Sequence, residues 1–233
     1  MADAYSLLAV KIMNPNVRAY EELVVEGGTP PLARELLEDV QPDQLLAVPA
    51  KSPVHAYAML AGLWLWHDGL TECHEIAQKS PEDLLIAALS LHSKPSKTSQ
   101  KVPDVQSVEN DKPRNQQYLQ DLNSTLAFWH AIMHRREGDF SNAKYWYARC
   151  RGHPAQRSIT AAMASLAKSA GVDPLGKRLV AVRWDGPELT DLVESVYRRP
   201  TDPKAKLAQR LQQIEWEGLF EYCALTAMGK STN

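Results

Sequence analysis

Histidines are the residues whose spacing in this chain most suggests chemistry. His130, His134 and Glu137 stand at i, i+4 and i+7 of a helical stretch, so all three project from one face. Two imidazoles and a carboxylate in a row are donors that zinc or iron takes, provided the rings are neutral and a further donor completes the shell. His67 and His74 flank Asp68-Gly69 in an earlier segment and can supply that donor, with Asp68, Glu72 and Glu75 nearby in sequence. The candidate metal ligands are therefore His130, His134, Glu137, His67 and His74. HxxxH followed by a distant Glu is not the HExxH pattern, in which a glutamate between the histidines acts as a base. The row runs beside the apolar stripe Leu122, Leu126, Trp129 and Met133, at the edge of the buried side. A second reading stays open at this point: each ring is hydrogen-bonded inside the fold or at a helix end and ligates nothing.

Arg135 and Arg136 follow the second histidine, and Lys144, Arg149 and Arg151 surround Trp129, Tyr145, Trp146 and Tyr147. From this basic and aromatic mixture, Arg135, Arg136, Tyr145, Trp146 and His153 form the candidate ligand-binding set. The arginines would orient an anionic group and the rings would stack on it. The same arginines also read as solvated last-turn cations favoured by the helix dipole. Lys plus Arg total 26 against 28 Asp plus Glu, a formal charge of -2, so no global attraction draws the chain to nucleic acid or anionic lipid. A small anionic ligand or a partner peptide is the expected partner. The chain contains no GxSxG, Walker or GxGxxG string.

These residues sit in a chain that reads as all-α. Apolar positions recur at helical spacing, and Ser52-Pro53, Ser80-Pro81 and Asp202-Pro203 place a capping residue before a first-turn proline. The pattern predicts helices over 3–13, 17–25, 31–39, 53–67, 70–79, 81–92, 116–137, 141–151, 155–169, 187–198 and 203–227. RLVAVRW, 178–184, alternates like a strand but has no partner strand, and is expected to be an extended connector. Residues 93–117 are rich in Lys, Ser and Pro and short of large apolar groups, the composition of a polar linker or insertion. It separates an N-terminal half, 1–92, from a C-terminal half, 118–233, as two units or within one domain. The three cysteines, Cys73, Cys150 and Cys223, form no CxxC pair and suggest reduced thiols. The longest apolar stretches are too short to span a bilayer, and Met1–Asn16 lacks the features of a secretory leader, so a cytoplasmic location is expected.

Two segments share one hairpin pattern. Leu60, Ala61 and Trp64, then Asp68-Gly69-Leu70, then Cys73 and Ala77 have the intervals of His130, Ala131 and His134, then Gly138-Asp139-Phe140, then Ala143 and Tyr147. Both resemble tetratricopeptide helix pairs, which implies packed helical hairpins and a groove for a peptide. With no third copy, a regular solenoid is not expected. AGLWLWHDGL is similar to the His-Asp motif of the HD-superfamily phosphohydrolases, which would imply a metal-dependent hydrolase. That family also needs a histidine on an earlier helix, and the only upstream one, His55, shares the helix that ends at His67. Finally, FWHAIMHRREGDFSNAKYWYARCRGHP, GLWLWHDGLTECHEIAQ and the closing LQQIEWEGLFEYC resemble a group of bacterial and fungal proteins with a WHAIMHRRE…NAKYW string. That resemblance implies a shared fold and no particular activity.

Overall fold

The computed structural model describes residues 5–13, 21–92, 112–169 and 183–230. Their regular structure is helical, with no strand among the described residues and one isolated bridge between Tyr5 and Leu46. In chain order the helices are α1 (Leu7–Ile12), α2 (Pro31–Leu37), a 3-10 turn (Pro42–Leu45), α3 (Pro53–Trp66), α4 (Leu70–Ala77), α5 (Pro81–His92), α6 (Lys112–Glu137), α7 (Phe140–Arg149), α8 (Ala155–Ser169), α9 (Gly186–Val196) and α10 (Pro203–Ala227). Starts follow from side chains. Ser6, Asp139, Asp185 and Asp202 each accept a first-turn backbone N–H, and proline opens α2, α3 and α10.

At the centre lies α3, buried at every residue from Ala58 to Trp66. A helix that is apolar all round belongs in the interior, and α4, α5, α6 and α10 enclose this one. Gly62 marks the closest approach. A Cβ there would lie 2.8 Å from Trp129 Cζ2 of α6 and 3.0 Å from Phe220 of α10, and the Gly62 carbonyl accepts the Trp216 indole N–H at 2.7 Å.

The two hairpins close in the same way. Gly69 N–H reaches the Trp64 carbonyl at 2.8 Å, and Asp139 N–H reaches the His134 carbonyl at 3.0 Å. Each turn contains one residue in the left-handed region, Asp68 at φ +62° and Gly138 at φ +88°. Pairing α3 with α4 and α6 with α7 then sets α4 against α6, so one core takes residues from both sides of the 93–111 segment. The face of α3 that a peptide groove would offer is occupied by α10, with Trp66 and Trp216 rings 4.5 Å apart.

Several expected boundaries change. Residues 21–25 carry no helix, although 17–25 was expected to. Lys112–Gln117, expected to belong to the linker, forms the first turns of α6, because extending an existing helix adds one hydrogen bond per residue without a new nucleus. The 3-10 turn at Pro42–Leu45 has no counterpart among the expected elements. Residues 3–4, 17–20, 93–111 and 178–182 of the expected elements lie outside the described residues; Arg183 and Trp184, the end of the connector, are neither helix nor strand.

Replacing Gly62 with Ala tests the crossing. Alanine favours a helix interior by about 0.5–1 kcal/mol over glycine, while overpacking costs about 1–3 kcal/mol. We expect Gly62→Ala to lose about 1–2 kcal/mol in urea unfolding, the opposite sign to an open helical site.

Candidate metal centre

The row His130, His134 and Glu137 emerges from α6 into the space between α4 and α7. There it meets His74, one turn into α4. One ligand atom from each of His74, His130 and His134 lies within 4.8 Å of the others. The His74 ring stands edge-on to His130 and His134, with centroids 4.7 and 5.5 Å away. His130 stacks against His134 at 4.8 Å and against Trp146 of α7 at 3.9 Å, with 14° between the latter planes. His130 and His134 are buried and His74 is half-buried, so the centre opens at its α4 side.

Hydrogen bonds define the state of His134. Its Nδ1 lies 2.9 Å from Glu137 Oε2, and a carboxylate only accepts, so Nδ1 carries the proton and Nε2 carries the lone pair. Asn142 Nδ2–H donates to that Nε2 at 3.0 Å. A carboxylate on one ring nitrogen and a lone pair on the other is the arrangement by which outer partners orient a ligating histidine, although here Asn142 occupies that lone pair. His130 differs, since its Nδ1 is buried with no hydrogen-bond partner among the described residues. Burial, then the His134 and His74 rings, hold the His130 pKa at about 3; burial, then His134, also lowers that of His74. Both rings are thereby neutral at physiological pH, the form in which imidazole binds a metal.

Other candidate residues lie elsewhere. His67 does not join the centre; its Nε2–H donates to the Ile12 carbonyl at 2.9 Å, and burial lowers its pKa. Glu137 meets the cluster through His134 while its own side chain remains half-exposed. Arg135 and Arg136, expected to orient an anionic group, are fully buried and bonded to groups within the fold. Arg135 Nε donates to Gln212 at 2.9 Å, and its other nitrogens reach Tyr147 and Glu215. Glu215, equally buried, also accepts from the Tyr147 hydroxyl at 3.0 Å and the Trp184 indole at 3.1 Å. Arg136 donates at 2.7 Å to both Asp68 and the Leu65 carbonyl, bracing the first hairpin. Trp146 belongs to the centre through its stack on His130, whereas Tyr145 is exposed and accepts from Arg149 at 2.9 Å.

His153 enters a separate network. Thr125 donates to the Asp121 carbonyl at 2.9 Å, so its oxygen accepts from His153 Nε2–H, also at 2.9 Å, while His153 Nδ1 accepts from Ala155 N–H at 3.2 Å. Nearby, Ser52 donates to His55 Nδ1 at 2.7 Å and His55 Nε2–H donates to Asp121 at 3.0 Å. Tyr118 donates to the Ser52 oxygen at 2.7 Å, and Tyr222 donates to the other Asp121 oxygen. Serine, histidine and aspartate thus stand in the order of a nucleophilic triad. Ser52 is only 6% exposed, however, and its oxygen is already bonded. The network ties α3, α6 and α10 together.

Asn142, the stack of Trp146 on His130 and the reach of the Ser52–His55 pair to Asp121, Tyr118 and Tyr222 were not legible, because these contacts join separate helices. One signal did exist for Glu215: a carboxylate on the stripe Leu211, Glu215, Leu219 and Tyr222 requires a buried cation. Comparison with family models, curated proteins and solved structures returns no match for this chain. No helix among the described residues is long and apolar enough to cross a membrane.

Burial holds the His153 pKa at about 4, below the ordinary 6.5, despite the opposing Asp121 charge and alongside His55. Between those values the unfolded chain binds the extra proton, so stability present above pH 6.5 is lost as pH falls toward 4. We expect His153→Gln to reduce that acid loss by about 3 kcal/mol, read from denaturant unfolding at pH 7 and pH 4.5.

Proposed function

We propose that this protein binds a divalent transition metal, zinc foremost, through His74, His130 and His134. The observation that carries the reading is the buried, unpartnered His130 Nδ1 within a group of three imidazoles. Gln212 Nε2 is likewise buried without a partner among the described residues, but an amide nitrogen does not ligate, whereas an imidazole nitrogen can take from a metal what hydrogen bonding does not supply. A tetrahedral zinc site with bonds of 2.0–2.1 Å sets nitrogen atoms about 3.3 Å apart. The widest pair must therefore draw in by about 1.5 Å, within the reach of side-chain rotation. Glu137 would act through His134, fixing its tautomer.

Three nitrogen ligands leave one position open, which is the arrangement of catalytic rather than structural zinc. An enzyme that activates water or a small anionic ligand at that position is the activity the arrangement favours. Iron is the second choice, since imidazole also suits it. Nucleic acid is the less favoured partner for a chain of charge -2. The tetratricopeptide-like alternative, a peptide docked on the first hairpin, is disfavoured because α10 already covers α3. Three buried free thiols, Cys73, Cys150 and Cys223, accord with a cytoplasmic setting. Membership of the WHAIMHRRE…NAKYW group would extend the same centre to that group, whose string supplies His130, His134 and Glu137.

The test is metal analysis of protein purified without an affinity tag, followed by zinc titration against a chelating indicator. One zinc per chain is expected, with affinity lowered at least tenfold by His130→Ala or His74→Ala and about tenfold by Glu137→Gln. Failure of any transition metal to copurify or to bind on titration would reject the proposal.

A further inference from the structure

Resting on the metal reading, we infer that Asn142 selects the ligand at the metal's open position, and that this ligand is an anion with an oxygen donor. His134 Nε2 holds a single lone pair, fixed there by the Glu137 carboxylate at Nδ1. Asn142 Nδ2–H donates to that lone pair at 3.0 Å. A metal claims the same lone pair, so metal and amide compete for one atom. Once the metal holds it, the amide N–H faces the coordination sphere with its acceptor gone.

The atom able to satisfy it must accept a hydrogen bond beside a dication. A carboxylate, phosphate or hydroxide oxygen does both. The assignment of nitrogen rather than oxygen to the amide end facing His134 follows from the tautomer: the Asn142 oxygen would face a lone pair. Asn142 is also held in place from behind. Its backbone N–H donates to Asp139 Oδ1 at 3.1 Å, in the cap that starts α7. Trp146, one turn along α7, closes the centre against His130, so α7 supplies both a wall and a donor. Arg135 and Arg136, spent on Glu215 and Asp68, leave this role to the amide.

The test uses the full-length chain loaded with cobalt(II), whose visible absorption reports coordination, and acetate as the probe anion. In the wild type, acetate is expected to shift the cobalt bands saturably. Asn142→Ala is expected to bind cobalt at least as tightly as wild type, because a competitor for His134 has gone, and to bind acetate at least tenfold more weakly. Asn142→Asp, which lacks the N–H and adds a negative charge, is expected to hold cobalt more tightly and to lose the acetate response. Far-UV circular dichroism establishes that each variant is folded, and either variant alone suffices. Unchanged acetate affinity in the folded variant overturns the inference, as does weakened cobalt binding by Asn142→Ala, which would make Asn142 a support for His134. Absence of cobalt binding in the wild type itself would instead refute the metal reading beneath it.

Discussion

Arg135 and Glu215 meet where water is excluded from both side chains, and the geometry of the candidate centre depends on that pairing. Breaking a buried ion pair by removing one partner typically costs about 3–5 kcal/mol, because a charge is left uncompensated. Glu215 is held further by Tyr147 and Trp184, and Arg135 by Gln212. Arg136, the next residue, turns about 100° around α6 and fastens the α3–α4 hairpin through Asp68 and the Leu65 carbonyl. Two adjacent guanidiniums with partners in different directions leave α6 one rotational setting. In that setting the remaining face, with His130 and His134, points between α4 and α7.

Polar groups inside this fold therefore divide into two kinds. In the Arg135–Glu215 and Ser52–His55–Asp121 networks the charged and ring groups meet partners, although Gln212 Nε2 is left without one among the described residues, and their links run between helices that must stay together. Burial raises the Asp121 carboxyl, but hydrogen bonds from His55 and Tyr222 outweigh it and leave the group below its ordinary range, as suits a structural anion. The imidazoles of His74, His130 and His134 are different. They crowd one another without a shared partner, and one buried nitrogen remains unpaired. These three crowded rings, with His74 and His130 lowered in pKa chiefly by burial, are the donor set on which the proposed metal site rests.

Local features were legible in the sequence and long-range ones were not. Capping residues and helical spacing gave most helices to within a few positions, and the shared hairpin intervals correspond to turns closed by matching hydrogen bonds at Gly69 and Asp139. The common face of His130 and His134 follows from the helical period alone. That His74 would face them requires the packing of α4 on α6, which spacing suggests but does not determine. His67 and His153 looked equivalent to it, yet one ends its helix beside Ile12 and the other lies against Thr125. Arg135 and Arg136 carried the reverse lesson. Placed in a last turn, they resembled solvated cations, and only Glu215 and Asp68, distant in sequence, draw them inside.

Crystals soaked in zinc, with anomalous diffraction collected at the zinc absorption edge, would test the central claim most directly. The expected result is one strong peak bonded at 2.0–2.1 Å to nitrogen atoms of His74, His130 and His134, with Glu137 still on His134 Nδ1. Zinc located only at surface carboxylates, with the three rings unmoved, would contradict it.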